Sequence, residues 1–254
     1  MRVDSRNPYI FSKHITVKAA KARVTKDALF SRVENECGSI PPREGRCIYF
    51  GRIDLYLIAG CDSEVALDVN ERTAAELQVV SNAVLRHILG VHENSTVAFL
   101  YSEMGITPLP YRRLLLALSY LKYLLFLPER HYASLALRAS LLLTRNGAPS
   151  WFGDLLHVLQ RLGETISVDD VFRLIDIVEV AAERSLANIT DSSPKGCLLR
   201  GFYNDIPIPS PCGLVKFMAK SPKPAAYKNY LNLPVPAHRK AFTRLLTSAH
   251  TLRD

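Results

Sequence analysis

The run from Leu114 to Leu127 is enclosed by Pro110 and Pro128, and it limits what the rest of the chain can be. Its 14 residues, broken by Lys122, fall short of the roughly 20 apolar residues that a membrane span requires. Proline fits the first turn of a helix and ends one at the far side, so the spacing predicts a helix from Pro110 that stops before Pro128. A helix this rich in leucine must be covered by neighbouring elements, and the chain therefore needs a core. With 254 residues, 48% of them hydrophobic and 22% charged, it is long enough to build one. Collagen-like and disordered chains are excluded by the same figures.

Helical periodicity extends on both sides of that run. Lys18 to Val33 carries Ala20, Val24, Ala28 and Leu29 near a 3.6-residue period. Pro41-Pro42 stops it and can open a second helix through Ile48, Ile53, Leu57 and Ile58. That second segment has enough β-branched and aromatic residues to compete as a strand, and helix is the preferred assignment. Asn70 is the expected N-cap of a third helix, with Leu77, Val80, Val84 and Ile88 on one face and Gly90 as its left-handed end. Short helices follow near Thr96–Met104, at 131–145 and at 151–162, and another begins at Ser167. Eight of the fifteen prolines lie between 194 and 236, which predicts irregular chain up to a final basic helix from His238. The fold expected is all-α: an N-terminal extension over 1–13, a compact multi-helix bundle over 14–190, and a Pro-rich, basic tail over 191–254.

The net charge of +8 leans towards an anionic partner. It is concentrated in residues 1–50, 111–160 and 201–254, while 51–110 is net acidic. The N-terminus lacks the apolar stretch of a secretory signal. Five cysteines form no CxxC pair, as expected of reduced thiols in a nuclear or cytoplasmic protein that is neither secreted nor membrane-bound.

No pattern of a familiar active site is present. The seven histidines are scattered, and His87 and His92 straddle Gly90 rather than sharing a helix face as a zinc pair would. Asp169-Asp170 could in principle hold divalent metals, as adjacent carboxylates do in polymerases. The residues after it recur at helical spacing, however, and Ser167 with Asp170 has the shape of a capping box, so a helix start is preferred. No metal site and no catalytic residue is assigned.

Basic residues are the stronger signal. Lys18, Lys21 and Arg23 lie on the first helix, Arg112 and Arg113 open the Leu-rich helix, and Arg239, Lys240 and Arg244 lie on the last. These are the candidate nucleic-acid contacts, with Tyr101, Tyr111, Tyr120, Tyr123, Tyr227 and Tyr230 as candidate stacking partners for unpaired bases. The plainer reading keeps the charges as a solvated face and the tyrosines at the edge of the core.

Several ordered blocks resemble fungal non-LTR (LINE-like) retrotransposon reverse transcriptases. They are Pro41-Pro42-Arg43-Glu44-Gly45 with Tyr49, Arg52-Ile53-Asp54, Leu57, Gly60-Cys61 and Leu67-Asp68-Val69; then Leu85-Arg86-His87-Ile88-Leu89-Gly90-Val91. Glu103-Met104-Gly105-Ile106, Pro108-Leu109-Pro110-Tyr111-Arg112-Arg113, Tyr120-Leu121-Lys122-Tyr123, Gly147-Ala148-Pro149-Ser150-Trp151 and Gly153-Asp154-Leu155 continue the series. The likeness covers about residues 10–165 and, more loosely, the ending around His238-Arg239-Lys240-Ala241 and Thr243-Arg244-Leu245-Leu246.

The resemblance implies a helical thumb and linker region downstream of a polymerase palm, trimmed at both ends. That region would hold RNA or a template–primer duplex through phosphates and would pack against the missing palm. The aromatic-x-Asp-Asp turn of the palm, with its magnesium, is not in this chain, so it should not polymerise alone and has no cofactor of its own. Two other functions remain open: a helical protein-interaction module or a relic of a mobile element, and a metal-dependent enzyme built on Asp169 and Asp170.

Overall fold

The computed structural model describes residues 12–61, 71–161, 171–192 and 227–246. The fold is all-α, and no strand occurs among the described residues. Helix α1 runs Ser12–Cys37, longer at both ends than the periodic stretch in its sequence. Pro42 opens α2 (Pro42–Ile48), and the chain continues through a π-helical turn, Tyr49–Ile53, into α3 (Asp54–Ile58). The segment that competed between helix and strand is therefore helical, with one under-wound stretch in its middle.

Helix α4 (Glu71–Leu89) buries Leu77, Val80, Val84 and Ile88, the four positions read as one face. Gly90 follows at φ +66°, where a side chain would strain the backbone. The turn closes by Val91 N–H donating to the Arg86 carbonyl at 3.1 Å. Next come α5 (Val97–Met104), α6 (Leu109–Phe126), α7 (Tyr132–Arg145) and α8 (Trp151–Gln160). His131 caps α7 by accepting from the Ala133 N–H at 3.2 Å, and the Ser150 hydroxyl caps α8 by accepting from the Gly153 N–H at 3.0 Å. After α9 (Val171–Ser192), a 3₁₀ turn (Asn229–Asn232) leads to α10 (Pro236–Leu246), whose first residue is the proline that the sequence placed before the helix. Asn70, Ser167, Asp169 and Asp170 lie outside the described residues.

The chain divides into two compact units. One comprises Met1–Ser31, Tyr49–Ser81 and Pro108–Ala181; the other comprises Arg32–Ile48, Asn82–Thr107 and Ala182–Asp254. In the first, Leu114, Leu118, Leu121 and Leu124 of α6 pack with Leu137 of α7, Phe152, Leu155 and Leu159 of α8 and Val178 of α9. Each such leucine contributes about 1.5–3 kcal/mol by leaving water. In the second, Phe99, Leu100, Met104 and Ile106 are buried together with Val84, Leu85, Ile88 and Leu231. Its polar interior includes Tyr101, whose hydroxyl donates to Asn82 Oδ1 at 2.7 Å. Among the described residues no helix is long and apolar enough to cross a membrane.

Candidate nucleic-acid interface

Helix α1 leaves Lys21 and Arg23 exposed, as a phosphate contact requires. Two positions along a helix differ by about 200° around its axis, so the two side chains do not form one stripe. Lys18 is half-buried and donates to the Ala59 carbonyl at 2.6 Å, which ties α1 to the end of α3.

At the opening of α6 the expected anion site is not formed. Arg113 is 1% exposed and donates to the Leu57 carbonyl at 2.6 Å. It falls on the buried row of α6 with Leu109, Ala117, Leu121 and Leu124, so its charge is spent inside the fold. Arg112 pairs with the buried carboxylate of Asp54 and donates a second bond to the Tyr49 hydroxyl at 2.7 Å. Its guanidinium also lies over the rings of Tyr49 and Phe50, at 5.6 and 5.7 Å from their centroids. Burial works against that charge, but the fields and hydrogen bonds of Tyr49 and Asp54 outweigh it, and the Arg112 pKa lies above its ordinary value. The Tyr49 hydroxyl in turn shares a hydrogen bond with Ser81 at 2.9 Å. Asp54 Oδ1 and Arg112 Nε are buried without a partner, which leaves the network open at two atoms.

Helix α10 divides its three basic candidates. Arg239 is 3% exposed and donates to the Leu233 carbonyl at 3.2 Å. The aliphatic stem of Lys240 covers Gly90, whose added Cβ would come within 3.0 Å of it. Arg244 is exposed and its Nε donates to the Gly90 carbonyl at 3.2 Å. Both cations thus sit at the C-terminal end of α4, where unpaired carbonyls and the helix dipole favour positive charge.

Tyr227, one of the candidate stacking residues, has beside it two arginines that were not among the candidate contacts, Arg43 and Arg46. Arg46 lies with its guanidinium 5.7 Å from the Tyr227 ring centroid and donates to the Gly105 carbonyl at 3.2 Å. Arg43, one turn earlier on α2, is exposed. Burial and the Glu44 carboxylate push the Tyr227 hydroxyl above its ordinary pKa, while Arg239, Arg46 and Arg43 pull it down. Burial also lowers the Arg239 pKa, against the pull of Tyr227 and Glu44. Three arginines and one carboxylate therefore bear on a single part-exposed tyrosine. The signal was present as Arg43 and Arg46, three apart and so on one side of a helical turn.

The other tyrosines divide similarly. Tyr101 is buried, and Tyr111 and Tyr120 pack against the core of the first unit. Tyr120 meets Trp151 edge-on at 5.8 Å and Tyr123 in a stack at 6.2 Å, and only Tyr123 of that trio is exposed. Among the described residues no group of three His, Cys, Asp or Glu side chains is placed to hold a metal ion. Comparison of the chain with protein-family models, with curated proteins and with solved structures finds no match in any of the three.

Proposed function

We propose that this chain holds nucleic acid by its phosphates, in the manner of the post-palm helical region of a non-LTR retrotransposon reverse transcriptase, with no catalytic centre of its own. The observation that carries the reading is the Arg46 guanidinium 5.7 Å from the centroid of the part-exposed Tyr227 ring, with the exposed Arg43 one turn away on the same helix. The exposed Lys21 and Arg23, the net charge of +8 and the ordered blocks in the sequence support it. In this reading Arg112 and Arg113 hold the fold, and any magnesium belongs to a palm on another stretch of polypeptide. Phosphate contacts carry no base information, so binding is weakly specific.

The test is a titration of a labelled duplex with the full chain between about 50 and about 200 mM salt. Log affinity should fall linearly with log salt, and Lys21→Gln with Arg43→Gln should make the slope shallower by about two phosphates. Affinity that ignores salt, or a slope the double variant leaves unchanged, sinks the reading.

A second reading rests on apolar side chains that face solvent. Tyr132 is 88% and Phe126 69% exposed, and Tyr123, Leu135 and Leu142 are exposed as well. Nearby in sequence, Leu116 and Tyr120 line an apolar hollow of about 300 Å³ with Ile58, Gly60 and Cys61. A surface of this kind suits a helical protein-interaction module.

A further inference from the structure

We propose that Tyr227 is a stacking platform for one base of a single-stranded nucleic acid, with the adjacent phosphate held by Arg43 and Arg46. The inference rests on the nucleic-acid reading above and adds to it the strandedness of the ligand.

The ring is part-exposed and carries a guanidinium at cation–π distance, so its surface is already polarised by a charge that also attracts phosphate. Arg46 is held in that position by its bond to the Gly105 carbonyl, and the Tyr227 hydroxyl by donating to Asn232 Oδ1 at 3.3 Å. On the next residue, the Lys228 N–H donates to the Glu103 carbonyl at 3.1 Å, which fixes the backbone that presents the ring. The platform is therefore built before the ligand arrives, and little ordering is lost on binding. A base inside a duplex has both faces against its neighbours and cannot offer one to a tyrosine, whereas an unpaired base can. Arg43 is exposed and one turn from Arg46, which suits a flexible strand whose backbone passes the ring.

The experiment compares an unstructured oligouridylate of about ten nucleotides with an RNA duplex of about ten base pairs, both titrated with the full chain at one salt concentration. Tyr227→Ala should weaken binding of the single strand about tenfold and change duplex binding less than about twofold. Tyr227→Phe should keep the single-strand affinity, because stacking uses the ring and not the hydroxyl. Arg43→Gln, at an exposed position that leaves packing intact, should reduce the single-strand salt slope by about one phosphate. If Tyr227→Ala affects neither strand form, or both alike, or if Tyr227→Phe loses as much as Tyr227→Ala, the platform is refuted while phosphate binding stands. The platform is equally refuted by an unchanged salt slope in Arg43→Gln, which applies even if removing the ring unfolds the chain. Binding to neither oligonucleotide by the unaltered chain overturns the nucleic-acid reading itself.

Discussion

Arg113 shares a row of α6 with Ala117, Leu121 and Leu124, and that row is the core. Its burial was therefore legible in the spacing that identified the helix, since residues four apart lie on one side. Reading it as an anion contact weighed its charge above its register. Arg112 had no such signal, because its partners Tyr49 and Asp54 lie 63 and 58 residues away in sequence. The consequence for stability is testable. Asp54→Leu leaves the Arg112 charge largely desolvated and without its carboxylate, and should cost about 3 kcal/mol or more. Adding Arg112→Met should recover most of that loss, because an apolar pair needs no compensation. Urea unfolding of both variants measures the difference, and equal losses would show that the pair does not act as a unit.

At the scale of elements, proline and glycine made most boundaries readable. Pro42, Pro110 and Pro236 lie in opening turns, and Gly90 and Gly105 close α4 and α5 with positive φ. The Cys47–Gly60 segment was legible as helix through the buried Ile53 and Leu57, but nothing in its period announced the π turn. Gly45 carries a second message that periodicity does not convey. A Cβ there would lie 2.8 Å from Ile88 Cγ2, so α2 approaches that part of α4 closely enough to exclude a methyl group. Gly45→Ala gains helix propensity, but overpacking should dominate and cost about 1–3 kcal/mol. Ile88→Ala removes both γ carbons, so Gly45→Ala should cost less in that background than in the unaltered chain, and thermal melts that show the same loss in both would remove this account of the glycine.

For the molecule as a whole, net charge was plain in the sequence and its placement was not. The Tyr227 group assembles from residues near 43 and near 239, a proximity that only tertiary structure creates. The surplus of apolar side chains on α6 and α7 was equally hidden, because a leucine-rich helix reads as buried all round until its neighbours are known. Surface of that kind should drive concentration-dependent association. Phe126→Ser with Tyr132→Ser should raise the concentration at which association sets in by about tenfold or more, as the removal of two aromatic contacts implies. Sedimentation velocity across a concentration series checks this, and unchanged profiles would place the association elsewhere.

The π turn has a consequence for how this stretch tolerates insertions and deletions. Hydrogen bonds in such a turn run between residues five apart, and Tyr49 and Asp54 are five apart and grip the same guanidinium. In an ordinary α-helix that alignment belongs to residues four apart. Loss of the codon for Gly51, which is exposed with open space where a Cβ would lie, would bring the two to that spacing and let the helix relax to its regular winding. The grip on Arg112 is thus compatible with two reading lengths of this segment, one with the extra residue and one without it.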